Sequence, residues 1–196
     1  MALIDYERIA EETWTRLALA CDDPTRPMRT VVLASVNVRH APDARLMILR
    51  GVDRQRSRLW FYTDIRSAKL EQLRAQPAVT VVAWDPADCI QLRFNGTATI
   101  QTNGEHIDDH WRQASMGLQV LLASPDDPGR PLTRPDPRLV GMKHSLDAGE
   151  EKAARARFAV IEIALSSAEW LQISGDEQRR AIMHGANGWA VQPLAP

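Results

Sequence analysis

What most constrains this chain is a succession of short, β-branched apolar runs separated by turn residues. Residues 29–39 (RTVVLASVNVR) and 45–54 (RLMILRGVDR) flank the turn-forming APDA, and residues 58–65 (RLWFYTDI) follow within a few positions. Runs rich in Val, Ile, Leu and aromatic residues, bounded by Gly, Pro, Asn and Asp, read as strands, and connections this short pair them antiparallel. Residues 78–85 (AVTVVAWD) and 89–102 (CIQLRFNGTATIQT) are two further strands, joined by Pro86, Ala87 and Asp88. From residue 157 the pattern returns in RFAVIEIALSSAEWLQI, EQRRAIMHG and GWAVQPL, with residues 185–188 as a hairpin turn. The expected fold is mainly β with flanking helices, an antiparallel barrel rather than a parallel βαβ sheet.

The helices are few. In residues 5–20, Ile9, Ala10, Trp14, Leu17 and Ala20 recur every three or four positions, which predicts an amphipathic N-terminal helix. Leu70 and Leu73 mark a short helix over 67–76, with Ser67 as its cap and Pro77 as its stop. Asn103 is expected to cap a helix over 104–114, a second short helix covers 116–123, and a charged surface helix covers 145–155. The proline-dense loop 125–138 (PDDPGRPLTRPDPR) is incompatible with a helix and too short for a domain linker, so it reads as an arm or lid on one domain spanning 1–196.

Composition excludes several function classes. The formal net charge of -1 leaves no basic footprint for a nucleic acid. Cys21 and Cys89 have neither disulfide-framework nor zinc-ligand spacing, which fits a reducing cytoplasmic setting and no metal. No apolar run approaches the roughly 20 residues that span a bilayer, so neither membrane nor export is expected.

The chemistry concentrates in residues 45–69 (RLMILRGVDRQRSRLWFYTDIRSAK), where seven cations flank two apolar strands and a tight turn into a helix. A strand end followed by Thr63, Asp64, Arg66 and Ser67, then a helix with Lys69 in its first turn, offers backbone N–H groups, a hydroxyl and the helix dipole to an anion. Arg45, at the start of the neighbouring strand, adds charge for a phosphate ester. Each of these cations taken singly reads equally as a solvated strand-end charge.

Taken in order, Arg45–Arg50 (an arginine, four apolar residues, a basic residue), Phe61-Tyr62-Thr63, Ser67-x-Lys69 and Gln91-x-Arg93-x-x-Gly96 resemble the pyridoxamine 5'-phosphate oxidase-like, FMN-binding split-barrel family. The resemblance covers roughly residues 27–123 and returns near Trp170. It implies a six-stranded split β-barrel that works as a homodimer, with FMN held at the interface beside a small-molecule substrate. By the same resemblance Arg45, Ser67 and Lys69 bind the FMN phosphate, with Arg66 as an added cation. Leu46, Met47, Ile48, Leu49, Arg50, Tyr62 and Thr63 run along the ribityl chain and ring, Gln91 hydrogen-bonds the isoalloxazine, and Trp170 and Arg180 reach it from the composite site. Without the resemblance Tyr62 reads as a core aromatic, Gln91 as an outward strand residue and Trp170 as a barrel plug.

Departures from the family pattern bear on the substrate. The oxidases have an arginine directly before the motif lysine, where this chain has Ala68. They place an arginine and a histidine between the tryptophan and the last arginine, at positions held here by Asp176 and Gln178, and an acid is electrostatically wrong for gripping a phosphate. Their helical Tyr, Arg and Ser have no counterparts in DDHWRQASMG, although Arg112 and Ser115 are near. The expectation is an FMN-dependent oxidoreductase on a substrate other than pyridoxamine phosphate, with no assignable catalytic acid or base. His40, His106, His110, His144 and His184 all fall in helix, loop or hairpin settings that favour a surface or structural role. The alternatives are a non-catalytic FMN carrier or redox sensor, and a tetrapyrrole-binding barrel with His106 or His144 as axial ligand.

Overall fold

The computed structural model describes residues 6–133, 145–174 and 177–196. Residue 5 of the expected first helix, residues 134–138 of the proline-rich loop, His144 and Asp176 lie outside them. The described chain runs α1 (Tyr6–Asp22), β1 (Thr30–Val36), β2 (Pro42–Asp53), β3 (Arg58–Asp64), α2 (Ala68–Ala75), β4 (Ala78–Asp85) and β5 (Ile90–Gln101). It continues through α3 (Glu105–Gln113), α4 (Met116–Ala123), α5 (Ala148–Arg157), β6 (Phe158–Ser174), β7 (Glu177–His184) and β8 (Val191–Leu194).

All eight strands join one antiparallel sheet in the order β3-β2-β1-β4-β5-β6-β7-β8, and β3 also pairs with β6. That last pairing closes the first six strands into a barrel, as expected, and leaves β7 and β8 as an extension from β6. Closure removes the free edges that β3 and β6 would otherwise expose. The 17-residue β6 makes this possible. Its first half lies against β3, from Asp64↔Phe158 to Arg58↔Ala164, and its second half carries β7.

Between these halves β5 shifts register at Asn95/Gly96. A Cβ on Gly96 would collide with the Ala164 carbonyl oxygen, so the glycine of the Gln-x-Arg-x-x-Gly pattern is fixed by a close backbone approach at a bulge.

Alternation along the strands fills the barrel. Leu33, Leu49, Leu59, Phe61, Leu92, Phe94 and Ile161 point inward and are essentially fully buried. Helix α1 covers this core with Ile9, Trp14 and Leu17, and Trp14 meets Trp189 edge to face at 5.4 Å. A second cluster forms outside the barrel, where Tyr62 and Phe158 pack against Ile107 and Trp111 of α3, Leu122 of α4 and Ala154 of α5.

Three local expectations need correction. The β1–β2 turn is residues 37–41 rather than APDA, because Asn37 Oδ1 accepts from the Arg39 and Ala41 amides, His40 takes φ 61°, and Pro42 already pairs with Val36. Gly104 (φ 110°), not Asn103, is the N-cap of α3, and Asn103 donates instead to Thr102. The charged helix starts at Ala148 behind an Asp147–Glu150 capping box and runs on to Arg157.

Candidate functional site

The turn from β3 into α2 brings Thr63, Asp64 and Lys69 to one cavity of about 390 Å³. Met47 and Tyr62 form its barrel side, Leu118, Leu121 and Leu122 of α4 its apolar side, and Ser124, residues 126–130 and Leu132 its outer wall. The Lys69 ammonium donates to Thr63 Oγ1 at 3.1 Å, and among the described residues no carboxylate lies within ion-pair distance of it. Burial lowers the Lys69 pKa, the nearby Arg45 guanidinium lowers it further, and Asp64 only partly opposes them. A half-buried ammonium beside a second cation and hydrogen-bonded to a hydroxyl has the charge and the donors to hold an anion.

The other predicted cations are already engaged. Arg45 donates to Ser35 Oγ at 2.7 Å, Leu33 O at 3.2 Å and Gln72 Oε1 at 2.9 Å, and pairs with Asp43 at 2.8 Å. It stands behind Lys69 as a source of potential rather than on the cavity wall. Arg66 is clamped on Asp64, with Nη2–Oδ2 at 2.7 Å, and reaches Ser124 O, Pro125 O and the Asp127 carboxylate. It pins the loop that forms the outer wall.

Ser67 occupies the N-cap position of α2 without a side-chain cap bond. Its buried side chain stands outside the cavity lining.

Along β2 the predicted run alternates. Met47 and Leu49 are buried, whereas Leu46 and Ile48 lie outward, 69% and 37% exposed. Their neighbours on that outer face are Val32 on β1 and Val82 on β4, and Trp84, 43% exposed, continues it. Arg50 is half-buried, with its guanidinium 5.5 Å from the Tyr62 ring centre.

Gln91 and Arg180 fall on one register row through Gln91↔Leu171 and Leu171↔Arg180, so both project from the same side of the sheet. Trp170 points the other way into the barrel core, 4% exposed, which is the plug arrangement. The Tyr62 and Gln91 groups are not brought together within one chain. Tyr62 pairs with Val160, and Gln91 with Leu171, eleven residues further along β6.

Two residues were missed by sequence reasoning. His110 on α3 meets the Tyr62 hydroxyl through Nδ1 at 3.1 Å. Burial holds its pKa below the ordinary histidine value, His106 adds repulsion, and Asp109 and Glu162 oppose. Burial likewise raises the Tyr62 phenol, with Arg50 pulling it back, so both groups are neutral near pH 7. Glu169, 7% exposed, holds Arg93 and Arg180. Its outward parity on β6 was the available signal, since it is out of phase with the inward Trp170.

Among the described residues no group of three or more His, Cys, Asp or Glu could hold a metal, and no helix is long and apolar enough to cross a membrane. His106, one of the two suggested axial ligands, is bound to Gln101.

Fold and site together define a class, an antiparallel split barrel with a lysine-bearing cavity where a strand turns into a helix. Residues 11–102 match the family model described as pyridoxamine 5'-phosphate oxidase, FMN-binding domain. It is 28% identical over 147 residues to the pyridoxine/pyridoxamine 5'-phosphate oxidase of Pseudomonas putida (strain W619), covering 74% of this chain and 62% of that enzyme. The enzyme of the same description from Pseudomonas syringae pv. tomato is 28% identical over 114 residues, covering 58% of this chain and 52% of the relative. The matches thus span between half and two thirds of these relatives' length.

Two solved structures share the fold. A pyridoxamine 5'-phosphate oxidase-related, FMN-binding protein from Nostoc punctiforme superposes with a TM-score of 0.71 at 22% identity, covering 100% of this chain and 99% of the other. PhzG from Burkholderia lata, solved with tetrahydrophenazine-1-carboxylic acid, superposes at 0.70 and 17% identity, covering 100% and 98%.

Proposed function

We propose that this protein is an FMN-binding oxidoreductase acting on a small molecule, with each flavin held between two copies of the chain in a cytosolic homodimer. The observation that carries the reading is the half-buried Lys69 ammonium, which has Thr63 and Arg45 beside it and no carboxylate partner among the described residues. A phosphate dianion supplies the missing counter-charge. The residues present fit FMN at that end. Lys69 and Thr63 would take the phosphate, with Arg45 adding potential from behind, and Met47 and Tyr62 would flank the chain that follows it.

The ring end calls for a second copy. Tyr62 and Gln91 lie eleven residues apart along β6, roughly 35 Å of extended strand at about 3.3 Å per residue. One flavin meets both sets only if Gln91 and Arg180 come from the partner. The outward Leu46, Ile48 and Trp84 form an apolar sheet face, and covering it with a second copy removes it from water. Two unpaired cysteines accord with a reducing compartment.

When bound, FMN supplies the redox chemistry. The chain's own residues orient it, exclude water with the α4 leucines, and keep neutral Tyr62 at the cavity wall, hydrogen-bonded to His110 behind it. The three aspartates of that wall, Asp64, Asp126 and Asp127, disfavour a second phosphate. The substrate is therefore a small molecule without the phosphate of pyridoxamine phosphate.

Purified protein is expected to be yellow and to take up added FMN stoichiometrically, measured by quenching of flavin fluorescence. The double variant Lys69→Ala/Arg45→Ala is expected to release it. Colourless protein that ignores added FMN overturns the reading. Steady-state turnover with NAD(P)H and oxygen separates an enzyme from a non-catalytic carrier, because a carrier's flavin does not cycle.

A further inference from the structure

Three charged side chains meet on the outer face of β5, β6 and β7. Glu169 on β6 stands opposite Arg93 on β5 and Ile182 on β7, so Arg180 reaches it diagonally. Arg93 Nη2 donates to Glu169 Oε2 at 2.5 Å, and Arg180 Nη2 lies 3.0 Å from Oε1 and 3.1 Å from Oε2. The carboxylate is almost withdrawn from water at 8% exposure, while Arg93 and Arg180 keep 42% and 34%.

A carboxylate buried this far needs a cation, and one arginine would neutralise it. Here there are two, so the cluster carries one net positive charge on the exposed sheet face. Both guanidiniums are fixed in direction by the same carboxylate, and their remaining N–H groups are held where a flexible arginine would wander. Nothing in the barrel core requires this arrangement, because all three side chains face away from it.

Resting on the FMN reading above, we propose that Glu169 is a positioning residue, bracing Arg180 with Arg93 so that the Arg180 guanidinium meets the ring end of an FMN held mainly by the partner copy. The oxidised ring is uncharged, so its grip depends on where the Arg180 N–H groups point more than on net charge.

The test is a double-mutant cycle on the dimer, read by FMN titration. Glu169→Gln keeps the shape but drops the charge, and is expected to weaken FMN about tenfold. Arg180→Gln, which leaves Glu169 paired with Arg93, is expected to weaken it by a similar factor. In the double variant the Glu169 change is expected to add little, because the two act through one contact. The midpoint potential of the bound flavin is expected to rise in Glu169→Gln, since a negative charge has left the neighbourhood of a group that gains electrons; a purely structural carboxylate would lower the melting temperature and leave the potential alone. Wild-type affinity in Glu169→Gln, or losses that simply add, overturns the inference while the FMN reading stands. If Glu169→Gln does not fold, undiminished affinity in Arg180→Gln overturns it equally. Wild-type protein that takes up no FMN sinks the reading and the inference together.

Discussion

Lys69 and His110 mark the two ends of what single residues disclose. The setting of Lys69 that the proposed phosphate site rests on is local, since the hydroxyl, the turn and the helix start all lie within seven positions of Thr63, and the sequence alone pointed to it. His110 is defined by Tyr62, 48 positions away, and by the burial that α3 acquires only on packing. In the sequence it sits in a polar run beside Asp108, Asp109 and Arg112, so it reads as a surface histidine. The pH consequence follows from the direction of its shift. The unfolded chain protonates His110 at about 6.5, whereas the folded chain protonates it lower, so the unfolded state binds the proton first. The stability this histidine confers is intact above that value and declines as pH falls through it toward the folded value. Carboxylates titrate well below, near about 4. Melting temperatures measured from pH 7.5 to 5 should therefore fall more steeply for wild type than for His110→Asn, and parallel curves would refute the assignment.

At the scale of elements the hairpin spacing made most strands and the pairing of β1, β2 and β3 legible, because local alternation and turn residues determine both. It did not reveal that β3 closes onto β6, a pairing across some hundred residues, nor that β6 is long enough to serve two partners. The glycine in Gln-x-Arg-x-x-Gly was visible as a motif, but its reason, the approach of Ala164 across a bulge, belongs to that long-range pairing. Gly96→Ala is expected to cost about 1–3 kcal/mol by overpacking, measured by chemical denaturation, and a neutral result would mean the bulge can relax. The loop after α4 was read as an arm or lid, and its described part forms the outer wall of the Lys69 cavity. Arg66 was expected to bind phosphate and instead holds this wall through Asp127, Ser124 and Pro125. Asp127→Asn removes a negative charge from the cavity lining. FMN affinity is expected to rise roughly two- to fivefold at low salt, and the gain to shrink at high salt, because Asp127 is two-thirds exposed and screened. Unchanged affinity at low salt would show that the wall does not oppose the phosphate.

For the whole molecule the decisive feature is that the two halves of the candidate site lie far apart along one strand. Lys69 and Thr63 belong to the β3–α2 end, and Gln91 and Arg180 to the β5–β7 end. The apolar outer face with Leu46 and Trp84 offers the surface through which a second copy would bring the missing half. Leu46→Glu places a charge where the isolated chain tolerates one, so it should leave the circular dichroism spectrum and melting temperature near wild type while shifting the mass in solution to one chain and abolishing FMN uptake. A sharper consequence comes from mixing. Lys69→Ala and Arg180→Gln chains each spoil both sites of their own dimers. A mixed dimer pairs the intact Lys69 of one chain with the intact Arg180 of the other, so it has one whole site and one doubly damaged site. Unfolding the two variants together and refolding them should restore roughly a quarter of the sites to full affinity, whereas a site built within one chain would recover none.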